Sequence, residues 1–397
     1  MHPIDRRAFL TRTALACAGA LATGLPLAAR ATQGVSKNEI VVGTIQDLSG
    51  PMASLSKPIQ NGMILRTEQV NAAGGINGRK LKLIVEDSSY DPKKGVLAAQ
   101  KLVSQDKIFA MVATPGSVVS LATIPICLEK GVLHLFPITA HTGNYEPFHR
   151  LKFSAANPYP NTTRIGLTQM IKRGGYKRVG ILYQDDEYGM EVVRGVEIAL
   201  KEAGLPLVER TSYKRGATDF SSQMQKLKAA NPDLIVLATI IRETIGAMAT
   251  AKQLGYTGDF FGSEAAYQPV VAKAGGKAVE GLYAISTIAT PYRDDPSNPK
   301  ALNEWMDAYK ARFKEDPDLY SVYGWLFLDV FVRAAEKAGP NLTTDGVVKS
   351  LETNPYPRSF VGNPELIWSA TKRMGQEQAR LARIQDGRWV NVSEFYK

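Results

Sequence analysis

The chain has 397 residues, with 48 Lys and Arg against 38 Asp and Glu, a formal net charge of +10 and 44% hydrophobic residues. That composition excludes a disordered or fibrous chain, and the length exceeds what one hydrophobic core usually holds. The basic residues are scattered, with no Lys/Arg cluster interleaved with aromatics, which argues against a nucleic-acid partner and favours acidic ligands or an anionic surface.

The chain opens Asp5-Arg6-Arg7-Ala8-Phe9-Leu10, runs uncharged from Ala14 to Ala29, and closes that stretch with Ala29-Arg30-Ala31. A basic start, a short apolar middle and a small-residue exit describe a secretory leader, expected to be cleaved after Ala31. The middle is too short and too rich in Gly and Ala for a membrane span. The adjacent arginines suggest twin-arginine export, although Thr11 stands where lysine is often found. Cys17 raises a lipid anchor, but Ala14 fits poorly the large apolar residue expected three positions before it. Loss of residues 1–31 leaves a net charge of +7 and Cys127 as the one cysteine, so no internal disulfide is possible.

From Lys37 onward strand and helix alternate. Ile40 to Thr44 reads as a buried strand, followed after Gly50-Pro51 by a helix over 53–71 with Ile59, Met63, Ile64 and Val70 on its core face. Gly74-Gly75 stops that helix. Leu81, Leu83 and Val85 alternate with charged residues, as in a strand with one wetter face, and Asp91-Pro92 opens a second helix. Ile108 to Val112 and Val132 to Phe136 are further strands. The rhythm repeats with strands at 178–183, 205–212 and 234–238 and helices at 191–203 and 220–229. Such alternation predicts parallel sheets in two doubly wound lobes. The last third differs: aromatic-rich amphipathic helices span 298–313 and 321–338. Strand-like pieces follow at Leu366-Ile367-Trp368 and at 381–384, the latter turning at Asp386-Gly387 into a terminal hairpin.

Two strand-to-loop turns stand out, Ala113-Thr114-Pro115-Gly116-Ser117 and Phe136-Pro137-Ile138-Thr139-Ala140. In a parallel sheet the carboxyl ends of strands sit side by side and ligands bind in the crevice they form. The first turn opens a helix, whose free amides, with the Ser117 hydroxyl, suit an anion. The competing reading makes Ser117 an ordinary helix cap.

The order and spacing of several short segments go further. They include Gly43-Thr44-Ile45 with Leu48-Ser49-Gly50-Pro51, Asn71-Ala72-Ala73-Gly74-Gly75-Ile76-Asn77-Gly78, Glu86-Asp87 and Tyr90-Asp91-Pro92. Tyr188-Gly189 and Gly262-Ser263-Glu264 complete the set. With these the chain resembles, from about Lys37 to its end, the exported leucine/isoleucine/valine-type solute-binding receptors of ATP-driven (ABC) uptake systems. The resemblance implies a type I fold: α/β, two doubly wound parallel-sheet lobes joined by three crossing segments, with the ligand in the cleft between them. By that pattern residues 38–157 and 288–355 form the N-terminal lobe, and 158–287 and 356–397 the C-terminal lobe. Closure would be a hinge motion stabilised by a ligand that touches both lobes.

The resemblance also implies site residues. Ser117, with Gly116 beside it, falls where hydroxyl and amide hold a ligand carboxylate. Ile138 and Ala140 fall where a carbonyl and a threonine hydroxyl serve the ligand ammonium, but Ala140 has no hydroxyl, so Thr139 and His141 become candidates to replace it. Glu264 matches a carboxylate that pairs with the ammonium, and Tyr188 an aromatic that packs over the ligand. A further tyrosine contact falls near Ile241-Arg242, where Arg242 could meet a second acidic group, and Leu55 stands where a tyrosine often faces the pocket.

No paired metal-ligand spacing, GxxxxGK loop, GxGxxG turn or GxSxG elbow occurs. With the leader, the Ser117/Glu264 pair and what the resemblance implies, the expectation is a non-catalytic periplasmic receptor without metal or cofactor, a monomer that passes a small carboxylate-bearing ligand to an inner-membrane ABC permease. An amino acid is the first choice of ligand. An aromatic or other organic acid without an amine is the alternative, since Ala140, Ile241 and Leu55 depart from the amino-acid pattern. A ligand-sensing signal receptor or an exported α/β enzyme is the weaker alternative.

Overall fold

The computed structural model describes residues 32–397; the expected leader and its cleavage site lie outside the described residues. The chain builds two sheets. The first draws on β1 (Glu39–Gln46), β2 (Lys80–Asp87), β3 (Ala110–Val112), β4 (Leu133–Leu135) and β5 (Lys152–Phe153), in the order β2-β1-β3-β4-β5, all parallel. Helices α1 (Ala53–Ala72), α2 (Pro92–Ser104) and α3 (Ser117–Glu129) connect its strands.

After β5 the chain passes to the second lobe. There α4 (Tyr159–Gly174), β6 (Val179–Gln184), α5 (Glu187–Ala203), β7 (Leu207–Tyr213), α6 (Ser221–Ala229), β8 (Leu234–Ala238), α7 (Arg242–Gln253), β9 (Asp259–Gly262), α8 (Pro269–Gly275) and β10 (Tyr283–Ser286) follow in turn. The chain then returns through α9 (Lys300–Phe313), α10 (Leu319–Ala338) and α11 (Thr344–Thr353), and ends in the hairpin β11 (Arg380–Gln385) and β12 (Arg388–Asn391). The second sheet runs β12-β11-β10-β9-β8-β6-β7. Its β10-to-β7 part is parallel, β11 runs antiparallel to β10, and β12 pairs antiparallel with β11 at the edge. This is the expected doubly wound α/β architecture in two lobes. Each sheet reverses strand order once, beside β1 and β3 and beside β6 and β8, and the crevices outside those carboxyl ends are where such folds bind ligands.

Two segments differ from expectation. Helix α5 starts at Glu187 rather than Glu191, because the Asp186 side chain accepts from Tyr188 N and Gly189 N at 3.1 and 3.3 Å; an N-cap carboxylate fixes a helix start. Residues 366–375, expected in the C-terminal lobe, lie instead along the first sheet. Met374 bridges Ser154 in parallel, Trp368 Nε1 donates to Ser154 O at 2.8 Å, and the Trp368 ring sits 5.1 Å from Phe136 and 6.2 Å from Phe153. Burying a large indole with its N–H paired outweighs the weak strand propensity of Leu366-Ile367-Trp368, whose one ladder contact is the Tyr356–Leu366 bridge.

The helical graft of the last third packs tightly onto the first lobe. A Cβ on Gly62 of α1 would stand 2.1 Å from Ser321 O of α10, and one on Gly324 of α10 would stand 2.0 Å from Ile59 O. Arg66 pairs with the buried Asp329 at 2.7 Å, which also accepts from Tyr356 OH at 2.6 Å, and Trp325 Nε1 donates to Gln69 at 2.8 Å. Replacement of Gly324 by Ala should force the helices apart. We expect a loss of about 1–3 kcal/mol, read as a lower urea midpoint; an unchanged midpoint would show that the crossing relaxes freely.

Candidate functional site

On the first lobe, β3 ends in a turn whose Gly116 has φ 84°. Glycine is required there twice over, by that left-handed backbone and because a Cβ would stand 2.5 Å from Tyr90 Cε2. Gly116 is the cap residue of α3, and no side chain caps the helix. Its first-turn amides are thus left for another acceptor. Ser117 is not the cap that the simpler reading would make it. Its hydroxyl lies 2.7 Å from Thr139 Oγ1, so it can accept from Thr139 and donate its own proton onward.

The second turn lies against the first. Pro115 and Ile138 form a parallel bridge, Ile138 N donates to Thr114 O at 3.0 Å, and Gly116 N donates to Ile138 O at 3.3 Å. The Ile138 carbonyl therefore already has one donor. Ala140 brings no hydroxyl, and its carbonyl accepts from Tyr159 N at 2.7 Å. The polar atom on this wall comes from Thr139.

On the second lobe, Tyr188 is 2% exposed. Its hydroxyl donates to Thr239 O at 3.0 Å, lies 2.7 Å from Ser263 Oγ, and is kept neutral by burial. Its ring meets that of Tyr159 edge-on at 5.0 Å. Glu264 follows β9. Its Oε1 accepts from Thr287 Oγ1 at 2.8 Å and from Tyr323 OH at 3.4 Å. Its Oε2 is sealed from solvent and has no partner. Burial pushes this carboxyl above the usual carboxylate range, against the lowering pull of the Thr287 and Tyr323 hydrogen bonds.

Both walls enclose one cavity of about 70 Å³, several times the roughly 10–15 Å³ that one water needs. Ser117, Gly116, Ile138, Thr139, Ala140, Tyr188 and Glu264 all line it, as does Leu55. His141 and Arg242 are not among its lining residues. His141 Nδ1 accepts from Gly143 N at 2.8 Å and caps a short turn, and burial lowers its imidazole pKa despite Glu191, Glu187 and Asp186 nearby. Arg242 is exposed, 3.9 Å from Glu243.

Sequence reasoning missed much of the apolar wall. Tyr320, Tyr323 and Phe327 of α10 line the cavity, at the i, i+3, i+7 spacing that puts residues on one helix face. That spacing was visible, but an aromatic stripe of this kind reads as core until a partner lobe is known. Tyr90, Tyr159 and Gln268 complete the list of polar-tipped wall residues. Around the cavity the lobes touch. Arg215 Nη1 donates to Tyr90 O at 3.1 Å with its guanidinium 5.3 Å from the Tyr90 ring, and Thr142 N donates to Glu191 of α5 at 2.9 Å.

The two doubly wound lobes thus meet over a cavity with hydrogen-bonding groups on both walls. A profile of the periplasmic binding protein family matches residues 39–388, and the chain belongs to that family, as the leucine/isoleucine/valine-type resemblance implied. Its members are substrate-binding proteins of ABC transporters. Among curated relatives, the leucine-, isoleucine-, valine-, threonine- and alanine-binding protein of Pseudomonas aeruginosa is 25% identical over 339 residues, 85% of this chain and 88% of that one. Two solved structures share the fold: a fatty acid ABC transporter substrate-binding protein from Thermomonospora curvata (TM-score 0.82, 22% identity, 92% and 94% of the two chains), and a branched-chain amino acid ABC transporter protein from Thermus thermophilus with bound valine (TM-score 0.81, 16% identity, 91% and 97%). Among the described residues no helix is long and apolar enough to cross a membrane.

Gly116→Ala tests the first wall. The left-handed backbone alone should cost about 1–2 kcal/mol, and the displaced Tyr90 ring should spread the effect to the cavity. We expect a lower melting temperature together with weakened ligand binding; a variant that melts and binds like the wild type would remove Gly116 from the site.

Proposed function

We propose that this chain is a non-catalytic periplasmic receptor that closes on an amino acid and delivers it to an inner-membrane ABC permease. It would act as a monomer after loss of residues 1–31. The N-terminal lobe would be 38–157 and 288–355 and the C-terminal lobe 158–287 and 356–397, with the stretch around Trp368 and Met374 lying against the first sheet. The observation that carries the reading is Glu264, whose outer carboxylate oxygen is buried without a partner in the same cavity as the uncapped start of α3. An uncapped helix start suits an anion; a buried, unpaired carboxylate needs a cation or a proton. A molecule carrying both a carboxylate and an ammonium answers both walls at once. The amino-acid binding named for the Pseudomonas relative supports this reading.

A second reading keeps the carboxylate and drops the amine. Ala140 offers no hydroxyl to an ammonium, and the raised pKa of Glu264 would let a protonated carboxyl stand without a cation. The fatty-acid transporter likeness shares only the fold.

The two readings predict opposite pH slopes. An ammonium binds the ionised carboxylate and lowers its pKa in the complex. Affinity for an amino acid should then be full above the raised pKa of free Glu264 and fall as pH drops through it. An acid without an amine would raise that pKa further and bind more tightly as pH falls. Calorimetry with amino acids and their des-amino counterparts between pH 4 and 8 separates them. Glu264→Gln should weaken an amine-bearing ligand by about 2–5 kcal/mol. Undiminished amino-acid affinity in that variant would exclude Glu264 from recognition, and stabilisation by des-amino acids alone would exclude the amino-acid assignment.

A further inference from the structure

Glu264 is not the one unsatisfied acceptor of its wall. Gln268 lines the same cavity, is 1% exposed, and its Oε1 is sealed from solvent without a hydrogen-bond partner. The orientation of this amide is fixed by chemistry. Nε2 donates to Ala265 O at 2.7 Å, and a flipped amide would set two carbonyl oxygens against each other. The backbone that carries it is held as firmly: Gln268 N donates to Ala266 O at 2.9 Å, Gln268 O accepts from Trp389 Nε1 at 2.8 Å, and the Trp389 ring lies 4.9 Å from that of Tyr267. The short turn Glu264–Ala266 thus separates two buried acceptors, a carboxylate oxygen and an amide oxygen, each lacking a donor. Buried polar atoms are nearly always hydrogen-bonded, and those that are not ask for an explanation.

We propose that Gln268 is a specificity-determining ligand contact: its Oε1 accepts a second N–H from the ligand ammonium that pairs with Glu264, so the cavity selects primary amines. This rests on the amino-acid reading above and sharpens it. Donor counting makes the selection. A protonated primary amine has three N–H groups, enough for both acceptors. A protonated tertiary amine keeps the same charge with one N–H and can serve only one of them. An organic acid without an amine brings no N–H to either oxygen, so Gln268 is paired only when a protonated Glu264 turns its single O–H toward it, and the ligand then gains nothing from Gln268.

The test uses L-leucine and L-phenylalanine, their N,N-dimethyl derivatives, and the des-amino acids 4-methylpentanoate and 3-phenylpropanoate. Calorimetry is run on the wild type and on Gln268→Met, which keeps the length of the side chain and removes the acceptor. The wild type should bind a primary amine at least tenfold more tightly than its dimethyl form. In Gln268→Met that ratio should shrink severalfold, while affinity for the des-amino acid stays the same. A purely structural role for Gln268 would weaken all three ligands alike and leave the ratios untouched, which would overturn the proposal. So would equal wild-type affinity for primary and dimethyl amines, a comparison that does not depend on the variant folding. Wild-type protein that binds the des-amino acids but neither amine would instead sink the amino-acid reading itself.

Discussion

At the crossing of α1 and α10, Gly62 and Gly324 leave no room for even a methyl group between one helix and the backbone of the other. That contact fixes where α10 lies, and α10 carries Tyr320, Tyr323 and Phe327 into the cavity. It also brings the Tyr323 hydroxyl to Glu264 of the opposite lobe at 3.4 Å. The apolar wall and one support of the buried carboxylate therefore depend on a backbone-to-backbone approach about one helical turn long. The capping box at Asp318, with Tyr320 N and Ser321 N each at 2.9 Å from Oδ1, then sets the start of α10 and hence which aromatic faces inward.

The two walls solve opposite electrostatic problems by different means. The start of α3 offers fractional positive charge spread over backbone amides, which costs little when the site is empty because no full charge is buried. Glu264 places an ionisable carboxyl where desolvation raises its pKa. The protein offsets part of that cost with Thr287 and Tyr323 on Oε1 and none of it on Oε2. The imbalance leaves one oxygen of Glu264 without compensation for its burial beside the cavity.

How much of this was legible from sequence depends on the range of the interaction. The strand–helix rhythm is local, and so the two doubly wound lobes followed from it. The Gly116-Ser117 turn was legible because a parallel sheet brings strand ends together and because the chain resembles a family. Tyr188 was placed in a loop because the Asp186 cap, which pulls the helix start back by four residues, is a side-chain contact that periodicity does not register. Gln268 and Tyr159 matter only after two lobes close on each other, and nothing in their neighbours in sequence marks them. Trp368 was misread for the same reason: its partner Ser154 is 214 positions away. His141 and Arg242 were proposed as flanking substitutes for missing groups, and adjacency in sequence did not bring either to the cavity.

The missing hydroxyl at Ala140 has a different meaning once Thr139 is placed. The Thr139 hydroxyl is bonded to that of Ser117, at the start of α3. A Ser117 hydroxyl that accepts from Thr139 becomes a better donor through the polarised chain, so Thr139 supports the start of α3 rather than replacing the hydroxyl that Ala140 lacks. On the proposed amino-acid reading, recognition of a cationic group would then shift away from the first lobe. With the Ile138 carbonyl already accepting from Gly116 at 3.3 Å, the unpaired acceptors lie on the second lobe, at Glu264 and Gln268. On that reading a ligand held by its anion on one lobe and by its donors on the other would be shared between them, each lobe alone satisfying only half of it. That division would make closure, rather than either wall by itself, the state that such a ligand stabilises.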